Sequence, residues 1–310
     1  MTRVFVTGAT GAVGAKVVDN LLSRGDEPGI LIRKNSNLWR IQNLVTDLQH
    51  ITGELAYPES YRDALISFKP EAVIHLAWDG VLGKNRNDLQ QVNSNLPGTL
   101  GLMDEAYNAG AHFFIGVGSQ AEYGALQQII SEEMPTTPTT LYGASKLAGY
   151  TLCNTYATLH GMRFAWMRLF SSYGPQDSPE WMIPYLILAL LRGEKPSLTA
   201  CEQKWDYLFQ ADAAEAIATV LHHPSASGIF NLGSGFAAPL RETVEYIRDC
   251  INPELPIGWG DIPYRPDQVM HLQANISRLN AVGWNPATSL QEGLSKTVEW
   301  YRDNRQRYNS

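Results

Sequence analysis

The chain has 310 residues, with 24 Lys and Arg against 31 Asp and Glu, for a net charge of −7. That balance excludes polyanion binding as the main activity, since nucleic-acid surfaces call for a basic field. At 44% hydrophobic residues the chain can bury a core, and its longest near-apolar stretch, Met182–Leu191, carries Pro184 and falls short of the roughly 18 residues that span a bilayer.

In chain order, the first apolar run starts at Val4 and passes straight into a glycine loop. That leaves no room for an export signal, so a cytoplasmic location is expected. Residues 3–7, 29–33, 48–52, 72–76, 112–118 and 163–170 read as strands, separated by segments long enough for crossover helices. Runs such as Ala72-Val73-Ile74-His75-Leu76 are apolar at successive positions, as strands covered on both faces must be. The fold class is therefore α/β, a doubly wound parallel sheet. After Phe170 the rhythm breaks. Tyr173-Gly174-Pro175 is a turn, residues 181–191 a helix, 228–232 a strand able to rejoin the sheet, and 290–301 a last amphipathic helix.

Gly8, Gly11 and Gly14 stand three apart between the first strand and a helix. Glycine lets a pyrophosphate approach the main chain, where helix N-terminal N–H groups meet its charge. The candidate contacts are Gly8, Thr10, Gly11, Ala12, Val13 and Gly14, and the ligand they suit is a dinucleotide. An acid about 20 residues further on would hold a ribose, whereas an Arg suits a 2′-phosphate. Arg33, followed by Lys34, occupies that place, while Asp26 and Glu27 fall at the other end of the strand. The expected cofactor is NADP(H) in preference to NAD(H).

Tyr142 and Lys146, at i and i+4, share a helix face. A cation beside a phenol favours phenolate and suits proton exchange with a carbinol. Ser119 ends the fifth strand, where parallel sheets present their ligands, and its hydroxyl can bond a carbonyl oxygen. The three cysteines, Cys153, Cys201 and Cys250, form no CxxC, and the seven histidines show no ligand spacing, so no structural metal is expected.

With these residues in order, the chain resembles an extended short-chain dehydrogenase/reductase of the nucleotide-sugar epimerase/dehydratase type, over nearly its whole length. The resemblance runs through the glycine loop, Gly53-Glu54-Leu55, His75-Leu76-Ala77, Asn95 with Gly98-Thr99, Ser119 with Tyr123-Gly124, Tyr142 with Lys146, Arg168-Leu169-Phe170, Tyr173-Gly174-Pro175, Asn231-Leu232-Gly233 and Gly283-Trp284. It implies that Glu54 and Leu55 face the adenine, that Leu76 and Ala77 meet the pyrophosphate and ribose, that Asn95 serves the cofactor, and that Ser119, Tyr142 and Lys146 form a catalytic triad. It implies that Arg265, in Tyr264-Arg265-Pro266-Asp267, pairs with a substrate diphosphate and that Leu198 contacts its base. Trp78 is a candidate for the sugar pocket. A second family arginine is replaced by Trp205, beside Lys204.

Departures from the family narrow the chemistry. The 4,6-dehydratases carry an Asp-Glu pair directly after the catalytic Thr, and here those positions are Gln120 and Ala121. Decarboxylating members carry a Glu and 3,5-epimerase/reductases a Cys where Ala121 stands. Glu122, one position later, is expected to point away and is given no role. The expected function is NADPH-dependent reduction of the C4 ketone of a nucleotide-linked 4-keto-6-deoxyhexose, for deoxysugar biosynthesis. The alternative is a nucleotide-sugar 4-epimerase with tightly held NAD(P), and a third reading is a catalytically silent NADP-binding sensor. The resemblance and strand count together imply a dinucleotide domain over 1–170 with a returning segment near 205–233, and a substrate lobe over 171–204 and 234–310. They also imply a homodimer through the helix that carries Tyr142 and Lys146.

Overall fold

The computed structural model describes residues 1–265 and 268–308. Its first half alternates strand and helix: β1 (Arg3–Thr7), α1 (Ala12–Ser23), β2 (Glu27–Ile32), β3 (Gln49–Thr52), α2 (Arg62–Phe68), β4 (Ala72–His75), α3 (Leu96–Asn108), β5 (Phe113–Ser119), β6 (Gln128–Ile130), α4 (Leu141–His160) and β7 (Arg163–Leu169). The second half continues with β8 (Ser172–Tyr173), α5 (Met182–Leu191), β9 (Lys204–Asp206), β10 (Leu208–Phe209), α6 (Gln210–His222), β11 (Gly228–Leu232), β12 (Ala237–Pro239), α7 (Leu240–Ile251), β13 (His271–Ala274), α8 (Ser277–Ala281) and α9 (Leu290–Asp303).

Seven strands form a parallel sheet in the order β11-β7-β5-β4-β1-β2-β3. Side chains alternate along β1: Val4 and Val6 join one apolar cluster with Val17, Val18 and Ile217 of α1 and α6, while Phe5 joins another with Leu65, Leu102 and Cys153 of α2, α3 and α4. Burial on both faces is why these strands read as continuous apolar runs. Strand order reverses between β1 and β4, which opens a crevice at the carboxyl ends of those two strands.

The expected strands fall within two residues of the observed ones. β2 begins at Glu27, because Pro28 lies near the strand's start, where a missing N–H is tolerated, and it ends at Ile32, so Arg33 sits just beyond the strand. Residues 228–232 return to the sheet edge as β11 beside β7. Sequence reasoning missed β6, a short half-polar strand that joins a four-stranded sheet of order β12-β9-β13-β6. A separate apolar cluster holds Ile183, Ile187, Val244, Leu294 and Val298 together, which makes α5 a buried helix with Pro184 in its first turn.

One strand feature positions the site. Gly116 and Gly118 of β5 lie beside Trp166 of β7, whose indole occupies the space their side chains would fill: a Cβ on Gly118 would stand 2.1 Å from Trp166 Nε1 and 2.3 Å from Glu122 Oε1. Gly118→Ala is expected to lower unfolding free energy by about 1–3 kcal/mol through overpacking. Gly83→Ala, where an added Cβ meets nothing within 4 Å, should stay within about 0.5 kcal/mol of the parent. Urea unfolding of the two variants checks the difference.

Candidate active site

The glycine loop forms one wall of the crevice. Gly8 has φ +77°, and a Cβ there would stand 2.7 Å from Ala77 N, so the loop lies directly against the segment after β4. A Cβ on Gly14 would stand 2.0 Å from Gly8 O, so loop and helix also close on each other. α1 starts at Ala12 with Gly11 as N-cap and no side-chain cap, which leaves its first-turn N–H groups to an anion at the crevice. These features fit a dinucleotide pyrophosphate. Arg40, absent from the sequence reading, ties the loop to the lobe: it donates to Thr10 O at 3.2 Å and to Gln176 O at 2.7 Å. The two acceptors are far from it in the chain, and no local pattern signals the contact.

Beneath the crevice a hydrogen-bond relay joins three elements. Thr7 Oγ1 and His75 Nδ1 are 2.7 Å apart, His75 Nε2 and Thr99 Oγ1 3.0 Å, and Thr99 donates to Asn95 O at 2.8 Å. Thr99 is thus an acceptor toward the ring, which places the imidazole proton on Nε2. Burial, aided by the Lys146 charge, pushes His75 down to about 3 and keeps it neutral. Asn95, expected at the cofactor, spends its amide on the main chain: it accepts from Asp79 N at 3.0 Å and donates to Asp79 O at 2.9 Å. It therefore shapes the loop after β4. Leu76 and Ala77 begin that loop, half-buried opposite Gly8. Leu55 packs against Gly98 of α3, and Glu54, two residues beyond β3, is exposed.

Ser119 ends β5, and Tyr142 and Lys146 lie on the first two turns of α4, whose N-cap Thr140 accepts from Gly143 N at 3.1 Å. Burial raises the Tyr142 pKa, opposed by a side-chain hydrogen bond with Ser119 and by the charge of Arg86. The expected cation at the phenol was Lys146. Instead its ammonium donates to Val117 O at 2.7 Å and lies 3.9 Å from the ring centre of Trp78, while burial lowers it to about 7. Arg86 takes the place over the phenol, its guanidinium carbon 4.7 Å from the Tyr142 ring centre and its carbonyl accepting from Tyr142 N at 2.8 Å. Trp78 meets Tyr142 edge-on at 6.4 Å and donates to Gln91 Oε1 at 2.7 Å, so it belongs to the wall around the pair.

Glu122 overturns its expected lack of a role. It is fully buried, because the residues after Ser119 wind into a short 3-10 turn that carries the third one back beneath the strand end. Its Oε1 accepts from Ser119 N at 2.8 Å and Trp166 Nε1 at 2.9 Å, and its Oε2 from Arg168 Nε at 2.7 Å. The S-x-x-E spacing of a capping box was the available signal.

Arg33 is exposed beyond β2, its guanidinium 3.9 Å from Asp79 across the crevice mouth, and Asp26 at the opposite end of the strand pairs with His222 at 2.9 Å. On the substrate side, Leu198 is 7% exposed. Its side chain is buried in the lobe's apolar cluster, its N–H donates to Gly258 O at 2.9 Å, and its carbonyl accepts from Ile262 N at 3.1 Å. Trp205 donates to Ser171 Oγ at 2.8 Å. Arg265 is exposed, and its motif partners Pro266 and Asp267 lie outside the described residues. Among the described residues there is no group of three or more His, Cys, Asp or Glu able to hold a metal, and no helix long and apolar enough to cross a membrane.

A Rossmann sheet with a glycine loop at its switch point, and with Ser, Tyr and Lys gathered at the neighbouring strand ends, defines an extended short-chain dehydrogenase/reductase. The chain belongs to the NAD dependent epimerase/dehydratase family, whose model matches residues 4–233. It is 29% identical to a mouse dTDP-D-glucose 4,6-dehydratase over 97% of this chain and 89% of that one. It is 27% identical to a dTDP-glucose 4,6-dehydratase from Streptomyces griseus over 98% and 95%. Among solved structures, a Thermus thermophilus UDP-glucose 4-epimerase in complex with NAD superposes with a TM-score of 0.87 at 26% identity, over 97% of this chain and 99% of that one.

The neutral His75 gives a pH signature. Above pH 6.5 it is neutral in both the folded and unfolded chain, and as pH falls from 6.5 toward 3 only the unfolded chain takes up the proton, so stability is lost across that window. Between pH 7.5 and 5 this one site should cost about 2 kcal/mol. Urea unfolding at the two pH values should show that increment in the parent and its absence in His75→Gln.

Proposed function

We propose that the chain reduces the C4 ketone of a nucleotide-linked 4-keto-6-deoxyhexose with NADPH. The observation that carries this reading is the set of groups around the Ser119 hydroxyl. Tyr142 and Lys146 supply proton-transfer chemistry, but the two positions after Ser119 are Gln120 and a buried Ala121, and neither can act as acid or base. The nearest carboxylate, Glu122, is fully buried and already accepts three hydrogen bonds, so it is not free to remove a substrate proton. This combination supports hydride exchange at carbon and disfavours the elimination of water named for the dehydratase relatives.

When bound, NADPH supplies the hydride that reaches C4. The Ser119 hydroxyl donates to the carbonyl oxygen and orients it. Tyr142, kept protonated by burial, delivers its proton to that oxygen as the alcohol forms. Lys146 ties α4 to β5 through Val117 O and would meet the nicotinamide ribose of a bound cofactor. Gly8, Thr10, Gly11, Ala12, Val13 and Gly14 would hold the pyrophosphate, Arg33 the 2′-phosphate, and Arg265 the substrate diphosphate, since planar guanidinium groups bind phosphate oxygens in pairs. A 4-epimerase is the second reading, favoured by the solved UDP-glucose 4-epimerase that shares this fold at 26% identity.

Incubation with dTDP-, CDP-, GDP- and UDP-linked 4-keto-6-deoxyhexoses should consume one NADPH per sugar reduced with at least one of them. Tyr142→Phe should lose at least about 100-fold in kcat, the range expected for a removed general acid. Arg33→Asp should shift the kcat/KM ratio from NADPH toward NADH by at least about tenfold. Interconversion of two sugars with no net cofactor change identifies the epimerase. NADPH binding with no turnover of any sugar identifies the silent sensor.

The same reading makes the enzyme a homodimer through α4, on which Leu152 and Leu159 are 43% and 77% exposed, beside the 40% exposed Tyr107 of α3. Sedimentation at micromolar concentration should give a dimer for the parent and a monomer for Leu152→Lys with Leu159→Lys. A monomeric parent refutes the interface.

A further inference from the structure

The catalytic serine hangs at the end of a strand, where nothing in the sheet ladder holds its side chain in place. Its own main chain is held from below. Ser119 is the N-cap of the turn formed by residues 120–122: its Oγ accepts from Ala121 N at 3.2 Å, and its N–H donates to Glu122 Oε1 at 2.8 Å. Glu122 cannot drift, because Trp166 Nε1 shares Oε1 and Arg168 Nε engages Oε2 at 2.7 Å. Arg168 is itself only 2% exposed and lies over the Tyr123 ring, its guanidinium carbon 4.4 Å from the ring centre. The turn also abuts the tyrosine helix without an intervening side chain, since a Cβ on Gly143 would stand 2.4 Å from Ala121 O. The position of the turn therefore sets the separation between Ser119 and Tyr142.

We propose that Glu122 is a positioning residue: its carboxylate, clamped by Arg168 and Trp166, fixes the Ser119 main chain so that the Ser119 hydroxyl meets the Tyr142 phenol and the substrate carbonyl together. Glu122 touches no reacting atom and acts through Ser119. An amide cannot replace it, because only one of its two atoms accepts, and the other would present N–H groups to the Arg168 guanidinium. The proposal rests on the reading of Ser119 as the hydroxyl that orients the ketone.

Glu122→Gln is the direct test. Arg168, left buried and unpaired, could unfold that variant, so Glu122→Gln with Arg168→Met is measured beside it. Ketone reduction should fall about 10- to 100-fold in kcat while KM for sugar and NADPH stays within about twofold, consistent with the loss of a preorganised donor. In a Ser119→Ala background the same change should cost less than about twofold, because both act through one hydroxyl. The alkaline limb of kcat separates positioning from charge. Loss of the Ser119 hydrogen bond moves that limb upward, as in Ser119→Ala, whereas removal of the Glu122 charge alone moves it downward. Crystal structures of the parent and both variants report the Ser119 to Tyr142 hydrogen bond without reference to any reaction, and it should be present in the parent and broken in the variants. An additive loss with Ser119→Ala, a downward limb, or a retained hydrogen bond overturns the proposal. A parent that reduces no ketone overturns the functional reading instead, and the crystal structures then decide the role of Glu122.

Discussion

A parallel sheet covered on both faces has only its strand ends left for ligands, and this constraint organises the molecule. Val4, Phe5 and Val6 are all fully buried, so the middle of β1 offers nothing to solvent and the strand presents its chemistry at Thr7 and the glycine loop beyond it. The same holds for β4, which delivers His75 to the relay beneath the crevice, and for β5, which delivers Ser119. Three consecutive neighbours in the sheet thus bring the glycine loop, the relay and the Ser119 hydroxyl to one edge.

Burial at that edge sets the protonation states. It keeps His75 neutral, raises Tyr142 and lowers Lys146 to about 7. Charge enters from the flanks. Arg86 covers the phenol from the loop after β4, and the Glu122–Arg168 pair lies beneath the serine, each partner at 2% exposure or less. An unpaired charge in that position would carry a large desolvation penalty, so the pair is kept together and hydrogen-bonded. The net charge of −7 leaves the overall field acidic, so any anionic ligand must be met by individually placed cations.

Period and punctuation in the sequence carried most of the architecture. Strands covered on both faces announce themselves as apolar runs, and glycines between strand and helix mark the loop, so the main sheet was readable to within two residues. Short elements were not: β6 has three residues, one of them polar, and acquires its identity only from pairing with β13. The placement of Ser119 at a strand end and of Tyr142 and Lys146 on one helix was readable from spacing, but the partners of these residues were not. Arg40 reaches Thr10 across the fold, and Arg86 reaches Tyr142 from another loop, contacts that no local pattern encodes. Glu122 was misread because an extended segment would have turned it away, whereas a 3-10 turn brings it back under the strand.

The central claim is the proposed net delivery of one hydride from NADPH to a sugar ketone. The most direct measurement follows the hydride itself. NADPH deuterated at the transferable C4 position is incubated with a nucleotide-linked 4-keto-6-deoxyhexose, and the sugar product is read by NMR. One deuterium at sugar C4 for each NADP formed is the result this account predicts. No deuterium in the sugar, together with conversion of a nucleotide hexose to its C4 epimer in a parallel incubation with no net oxidation of cofactor, would contradict it.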